Sequence, residues 1–217
     1  MTSSQPLIYW EEDMSSPAYI MITVAAVAPD YLSEALGKVG TLCGQLKDQA
    51  GAQMTRYGVM STGEHAGSLF LSQGYSELNG IDAAFNVYGS SAEYQALIGS
   101  GKVSVTLRNI MRMEDIGLKS PSTNVPAYLV LTRWGSASPM LDQMRPLVHH
   151  FEDNGALTLR YATIATGSAA GRRLLGVAYP SMDAIEKTYD SLRGDPAFGA
   201  FQSDIDLNFR NIVRIVG

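Results

Sequence analysis

The chain of 217 residues has a single cysteine, no excess of positive charge and no long apolar run. Each shortage excludes a class of protein. Cys43 alone can build neither a disulfide framework nor a multi-cysteine zinc site. With 16 Lys and Arg against 21 Asp and Glu, the formal charge is −5, so the basic surface that carries nonspecific binding to phosphate backbones is missing. Nucleic acid is therefore not an expected partner. No apolar stretch approaches the ~20 residues that span a bilayer, so a membrane is not expected either. Residues 1–16 form a polar arm with one apolar patch, Leu7-Ile8-Tyr9-Trp10, and lack the charged start, long apolar centre and cleavage site of a signal peptide. The expectation is a cytoplasmic protein. A hydrophobic fraction of 46% is enough to offset the entropy of ordering a chain, which argues against disorder.

What the chain has is itself, twice. Pro17-Ala18-Tyr19-Ile20-Met21-Ile22-Thr23 returns as Pro126-Ala127-Tyr128-Leu129-Val130-Leu131-Thr132. Gly51-Ala52 through Arg56-Tyr57 returns as Gly155-Ala156 through Arg160-Tyr161, an offset of 104. Thr62-Gly63 recurs as Thr166-Gly167, and Arg108-Asn109-Ile110 as Arg210-Asn211-Ile212. The matches stay collinear, which divides the chain into an arm (1–16), a first repeat (17–113), a linker (114–125) and a second repeat (126–217).

Each repeat reads as strand, helix, strand, strand, helix, strand. Residues 18–27 are a near-continuous apolar run with β-branched residues, as a strand buried on both faces requires. Leu32, Leu36, Val39, Cys43 and Leu46 then make a helical stripe that Gly51 ends. Two strands joined by a Gly-containing hairpin follow, and Ser76 is placed to cap a second helix with Leu78, Ile81, Phe85 and Tyr88 inward. A last strand covers 103–113. In the last strand the alternation sets Arg108, Ile110 and Arg112 on one face, against Val105, Leu107 and Met111 on the other with Asn109. In the second repeat Ser138-Pro139 reads as the start of a helix over 139–153 that Pro146 kinks. Ser181 and Asp195-Pro196 open the later helices.

This is the ferredoxin-like βαββαβ order, twice over, in an α+β chain. A four-stranded sheet with its helices on one side leaves its other face bare, and two copies can bury those faces together in one barrel. With the Asp-Pro-Ala-Phe turn after the second helix, the chain resembles the dimeric α/β-barrel superfamily as a fused pseudo-dimer. That resemblance implies a pocket between sheet and helices. It also brings a choice of roles, among them cofactor-free monooxygenases, isomerases, haem proteins and stress-response proteins, among which fold does not decide.

Candidate residues follow from comparing the copies. His65 and His150 occur in one copy only, and either is a candidate general base because an imidazole titrates near neutral pH. The plain alternative for a histidine near a helix end is a favourable interaction with the helix dipole. Trp134, where the first copy has Ala25, is a candidate pocket wall, and Tyr128, Arg160, Tyr161, Arg56 and Tyr57 are candidate ligand contacts. The recurring arginines either line a site for an anion or pair with carboxylates at the seam between sheets. No metal is expected, since His149 and His150 point about 100° apart on a helix and no acidic cluster accompanies them. No cofactor is expected, with haem the minor alternative through one axial histidine. Two functions stand: binding or transforming a small aromatic or polyketide-like molecule without a metal, or a noncatalytic stress-response or interaction role. A homodimer of the fused pair is the expected assembly.

Overall fold

The computed structural model describes residues 16–118, 122 and 124–217. The Leu7–Trp10 patch and part of the linker lie outside them. The first repeat runs β1 (Tyr19–Val27), α1 (Leu32–Ala50), β2 (Met54–Met60), β3 (Leu69–Tyr75), α2 (Leu78–Ser90), α3 (Ala92–Gly99) and β4 (Val103–Glu114). The second runs β5 (Tyr128–Gly135), α4 (Leu141–Met144), α5 (Val148–Glu152), β6 (Thr158–Ile164), β7 (Arg173–Tyr179), α6 (Met182–Arg193), α7 (Pro196–Ser203) and β8 (Asp206–Ile215). The strands close one barrel in the order β1-β3-β2-β8-β5-β7-β6-β4. Every pairing is antiparallel, and two seams join the repeats, β2 with β8 and β4 with β6. The chain is thus an α+β dimeric α/β-barrel made within one polypeptide.

Burial follows the alternation of the strands. Ile20, Ile22 and Val24 of β1 enter the barrel interior with Met60, Phe70, Met111, Leu131, Leu174 and Val213. Met21 and Ala25 of the same strand face the helices of the first repeat. Both faces are dry, which is why this strand reads as a continuous apolar run. A separate core around Trp134, Leu159, Tyr161 and Tyr179 lies under the helices of the second repeat.

The recurring Thr-Gly and Asn pairs prove to be the joint between the repeats. Thr62 Oγ1 accepts the backbone N–H of Ile212 at 2.8 Å, and Thr166 Oγ1 accepts that of Ile110 at 2.8 Å. Ser61 and Ala165 repeat the exchange through the backbone, donating to the carbonyls of Ile212 and Ile110 at 2.7 and 2.8 Å. Gly63 and Gly167 have φ of +83° and +80°, and a Cβ on either would overlap the amide of Asn211 or Asn109 in the opposite repeat. Those two asparagines are buried. Each hairpin therefore grips the last strand of the other copy.

Several expectations are corrected. Leu78 and Phe85 do not face inward: they are 52% and 44% exposed, while Ala84 and Val87 take the inner stripe with Ile81 and Tyr88. Ser76 does not cap α2, whose N-cap position is Glu77 without a side-chain bond. Ser181 and Asp195 do cap α6 and α7, accepting the N–H groups of Ala184 and Ala197. The helix expected over 139–153 is broken. Met140 takes a left-handed conformation (φ 55°), and the Pro139 carbonyl accepts the Tyr161 hydroxyl instead of opening a helix. The first helical piece starts at Leu141, and Pro146 sits in a 3-10 turn (Arg145–Leu147) between α4 and α5. In β4 a register shift opposite Val24/Ala25 interrupts the alternation, so Val105 joins Arg108 on the helix side rather than Leu107 in the interior.

Candidate functional site

The space between sheet and helices exists in both repeats, but the two copies use it differently. In the first, a cavity of about 40 Å³ remains beside Tyr88, Tyr94 and Arg108. Tyr88 and Tyr94 stack with ring centroids 4.5 Å apart, and the Arg108 guanidinium lies 4.7 Å from the Tyr88 centroid. Tyr88 is also tied beneath, where its hydroxyl accepts from Gln73, which in turn accepts from Tyr75 at 2.7 Å. At the offset of 104, Tyr88 becomes Leu192, Tyr94 becomes Phe198 and Gln73 becomes Val177. The polar tie and one ring are gone, and the second repeat keeps a cavity of about 150 Å³.

Trp134 forms one wall of that larger cavity, with Phe198, Phe201, Leu192, Tyr189 and Arg210 among the others. Its indole is 1% exposed, stacked on Tyr161 at 5.5 Å and met edge-on by Phe201 at 5.5 Å. Its Nε1–H is buried and has no acceptor among the described residues. A buried donor without a partner is costly in a native protein, so the atom calls for an explanation. Arg210 stands in the same cavity. Its guanidinium lies 4.1 Å from the Tyr189 centroid and its Nε donates to Thr132 Oγ1 at 3.3 Å. No carboxylate pairs with it among the described ion pairs, and the same holds for its counterpart Arg108. Among the described residues the partners of Arg108 and Arg210 are aromatic faces and threonines, rather than the carboxylates considered from sequence.

The remaining expected contacts are scattered. Tyr161 supports Trp134 from behind and holds Pro139. Its hydroxyl is pushed above its ordinary range by burial. Tyr128 packs at the edge of the same core, and Tyr57 packs beside Gly40 and Gly217 on the other repeat. Arg56 and Arg160 line a cavity of about 140 Å³ inside the barrel. His65 stands with Glu64, at 3.3 Å, by a cavity of about 50 Å³ also lined by Arg133 and Phe209. Ile22, Met111, Leu131 and Leu174 line both interior cavities. The candidates therefore do not converge: one lines the sheet–helix cavity, two the Arg56/Arg160 cavity and one the cavity beside Glu64. The signal that finds the cavity is the pair Tyr88/Leu192, visible once the copies are aligned by size rather than by identity.

His150 lines none of these cavities. It is buried on α5, with Nδ1 2.7 Å from Ser191 Oγ and Nε2 2.8 Å from Asp195 Oδ2, so it ties α5 to α6 and to the cap of α7. The expectation that no acid accompanies the adjacent histidines is corrected here. Asp195 arrives from another element, and one ligand atom from each of His149, His150 and Asp195 lies within 4.8 Å of the others. Yet Asp195 is already committed, through Oδ1 to the Ala197 N–H and through Oδ2 to His150. Those bonds, His150 first, hold its carboxyl below the usual range. A carboxylate lowered in this way adds stability above its unfolded pKa of about 3.9, and the gain is lost as pH falls through the folded value. The contribution of Asp195 should therefore be level from neutrality to about pH 5 and shrink below it, so unfolding midpoints should fall more steeply there than in Asp195→Asn. His150→Ala should lower unfolding free energy by about 1–2 kcal/mol in urea titrations, the size of a lost buried hydrogen-bond pair. A loss within ±0.3 kcal/mol would deny this role.

Comparison with known families decides the relationship. A model of a domain of unknown function, DUF6854, matches residues 17–113 and matches again over 126–215. The chain belongs to the DUF6854 family. No curated protein matches this DUF6854 chain in sequence. Among solved structures it is similar to a provisionally assigned monooxygenase from Fusobacterium nucleatum, with TM-score 0.65, 10% identity and 94% of each chain covered. It is also similar to a chlorite dismutase variant from Candidatus Nitrospira defluvii, with TM-score 0.60 and 8% identity over 94% of this chain and 93% of that one. A haem-binding protein from Thermus thermophilus is similar with TM-score 0.57 and 12% identity over 94% and 92%. At such identities the DUF6854 chain shares the fold with these proteins and nothing finer. No helix among its described residues is long and apolar enough to cross a membrane.

Proposed function

We propose that the protein binds a single-ring aromatic anion in the sheet–helix cavity of its second repeat. The observation that carries this reading is the asymmetry between equivalent spaces, about 40 Å³ in one copy and 150 Å³ in the other. An apolar cavity of about 150 Å³ is the size that takes up benzene. Trp134, Phe198 and Phe201 supply ring contacts, the free Trp134 N–H offers a donor, and Arg210 supplies a cation for a carboxylate or phenolate.

The likeness to a monooxygenase suggests chemistry as well as binding. Arg210 favours the ionised form of a bound phenol or acid, which is the contribution this cavity makes to a cofactor-free reaction. No carboxylate or imidazole is among the residues lining it, so the cavity offers a site for binding and no carboxylate or imidazole base. Haem does not fit. Of the residue types that hold haem iron, the lining carries Tyr189, which lies under Arg210, and Met144. No histidine or cysteine lines the cavity, and its volume is below the ~300 Å³ at which pockets for larger ligands begin.

A thermal-shift screen with benzoate, 4-hydroxybenzoate, hydroquinone and cyclohexanol tests the proposal. The aromatic anions should raise the unfolding temperature in a concentration-dependent way and cyclohexanol should not. Arg210→Gln should remove the preference for anions. Equal shifts with all four compounds, or none with any, would contradict the reading.

A further inference from the structure

The barrel interior holds a second feature that the sheet–helix cavity does not use. Arg56 and Arg160 occupy equivalent positions in the two repeats, and both line the same interior cavity of about 140 Å³. Its inner wall is apolar, built in part from Ile22, Met111, Leu131 and Leu174. Neither arginine forms an ion pair among the described residues. Arg56 donates to the Thr55 carbonyl at 3.0 Å, and Arg160 donates to the Ser16 hydroxyl at 3.4 Å. The Nε of Arg160 is buried with no hydrogen-bond partner among the described residues. Burial pulls the Arg160 guanidinium below its ordinary pKa. An uncompensated guanidinium at the mouth of an apolar cavity destabilises the protein unless something negative arrives. That guanidinium and Arg56, related by the internal repeat and lining one cavity, describe a receptor for a charged head with an apolar tail.

We propose that this end of the barrel binds a short-chain aliphatic carboxylate, its head between Arg56 and Arg160 and its tail against Met111, Leu131 and Leu174. A guanidinium matches a carboxylate through two parallel hydrogen bonds, which favours this head group. The volume admits a tail of about the bulk of benzene, hence about six carbons. The site is independent of the cavity at Trp134, with which it shares no lining residue.

Titration calorimetry with sodium hexanoate tests the proposal on the full chain. One hexanoate should bind per chain, 1-hexanol should not compete, and Arg56→Gln or Arg160→Gln should each weaken binding about 10-fold or more, as loss of a charge-assisted hydrogen bond does. Arg210→Gln should leave hexanoate binding unchanged, which separates this site from the aromatic one. A second readout does not depend on ligand. Arg160→Met should unfold at the same or a higher temperature than the parent when no acid is present, while failing to bind hexanoate. Absence of hexanoate binding by the folded parent, undiminished binding by the doubly substituted protein, or clear destabilisation by Arg160→Met would each overturn the proposal. The last result would mean that a carboxylate of the chain already serves Arg160.

Discussion

Trp134→Ala should lower the unfolding free energy by about 3–5 kcal/mol, the cost of deleting a fully buried tryptophan. The indole stacks on Tyr161, meets Phe201 edge-on and walls a cavity that already exists. Removing it merges the two spaces, and the sheet behind it, paired on both sides with β7 and β8, cannot collapse to fill them. For a chain of this length the loss corresponds to a fall in unfolding temperature of about 6–20 °C. Trp134→Phe retains the stack and should cost less than half as much. It also removes the unpaired Nε1–H, which offsets part of the lost packing. Urea unfolding of the two variants checks the ranking. A Trp134→Ala loss below about 1 kcal/mol would mean that the aromatic wall carries little of this core.

A second large effect is expected where the repeats are joined. Gly63→Ala and Gly167→Ala should each destabilise by about 2–4 kcal/mol. The left-handed backbone alone costs a side-chain-bearing residue about 1–2 kcal/mol. The added methyl also displaces a buried asparagine whose amide supports the opposite hairpin: with its nitrogen facing the carbonyls, Asn109 donates to Arg108 and Thr166 at 3.1 Å each. Because the two joints are related by the internal repeat, the two substitutions should have similar costs. Each should also be felt in the other repeat: hydrogen exchange of Ile212 should quicken in Gly63→Ala and that of Ile110 in Gly167→Ala, since those N–H groups bond to Thr62 and Thr166. Gly67 offers a control, with φ +86° but nothing within 4 Å of an added Cβ. There only the backbone term remains. If Gly67→Ala were as damaging as Gly63→Ala, the joint would not be the cause.

The fold was legible because it is written twice and in a strict period. The apolar run of β1 implied two buried faces, and both prove occupied. What escaped the sequence depended on contacts between distant elements. Phe85 and Leu78 are apolar and helically spaced, yet α2 turns Ala84 and Val87 inward, since α1 packs close to it and small residues suit the approach. Pro139 follows a serine as a helix start should, but the Tyr161 hydroxyl claims its carbonyl from a strand 22 residues away. His150 lacks a counterpart in the other copy. So does its partner Asp195, which replaces Ser91, and the asymmetry at that corner is a fastening of helices. The recurring arginines fall into two groups: Arg108 and Arg210 face the helices and Arg56 and Arg160 the interior. Strand parity separates these pairs, and a bulge in each last strand shifts that parity.

The second repeat keeps the larger sheet–helix cavity, walled by Trp134 and charged by Arg210, and the proposed ligand should bind there and not in the first. The chain has two tryptophans, so in a Trp10→Phe protein the indole fluorescence comes from Trp134 alone. Titration of that protein with 4-hydroxybenzoate should quench and shift the emission to saturation at one equivalent per chain. Arg210→Gln should weaken this response about 10-fold or more, and Arg108→Gln should leave it intact. A response that does not saturate, or one that follows Arg108 rather than Arg210, would contradict the account.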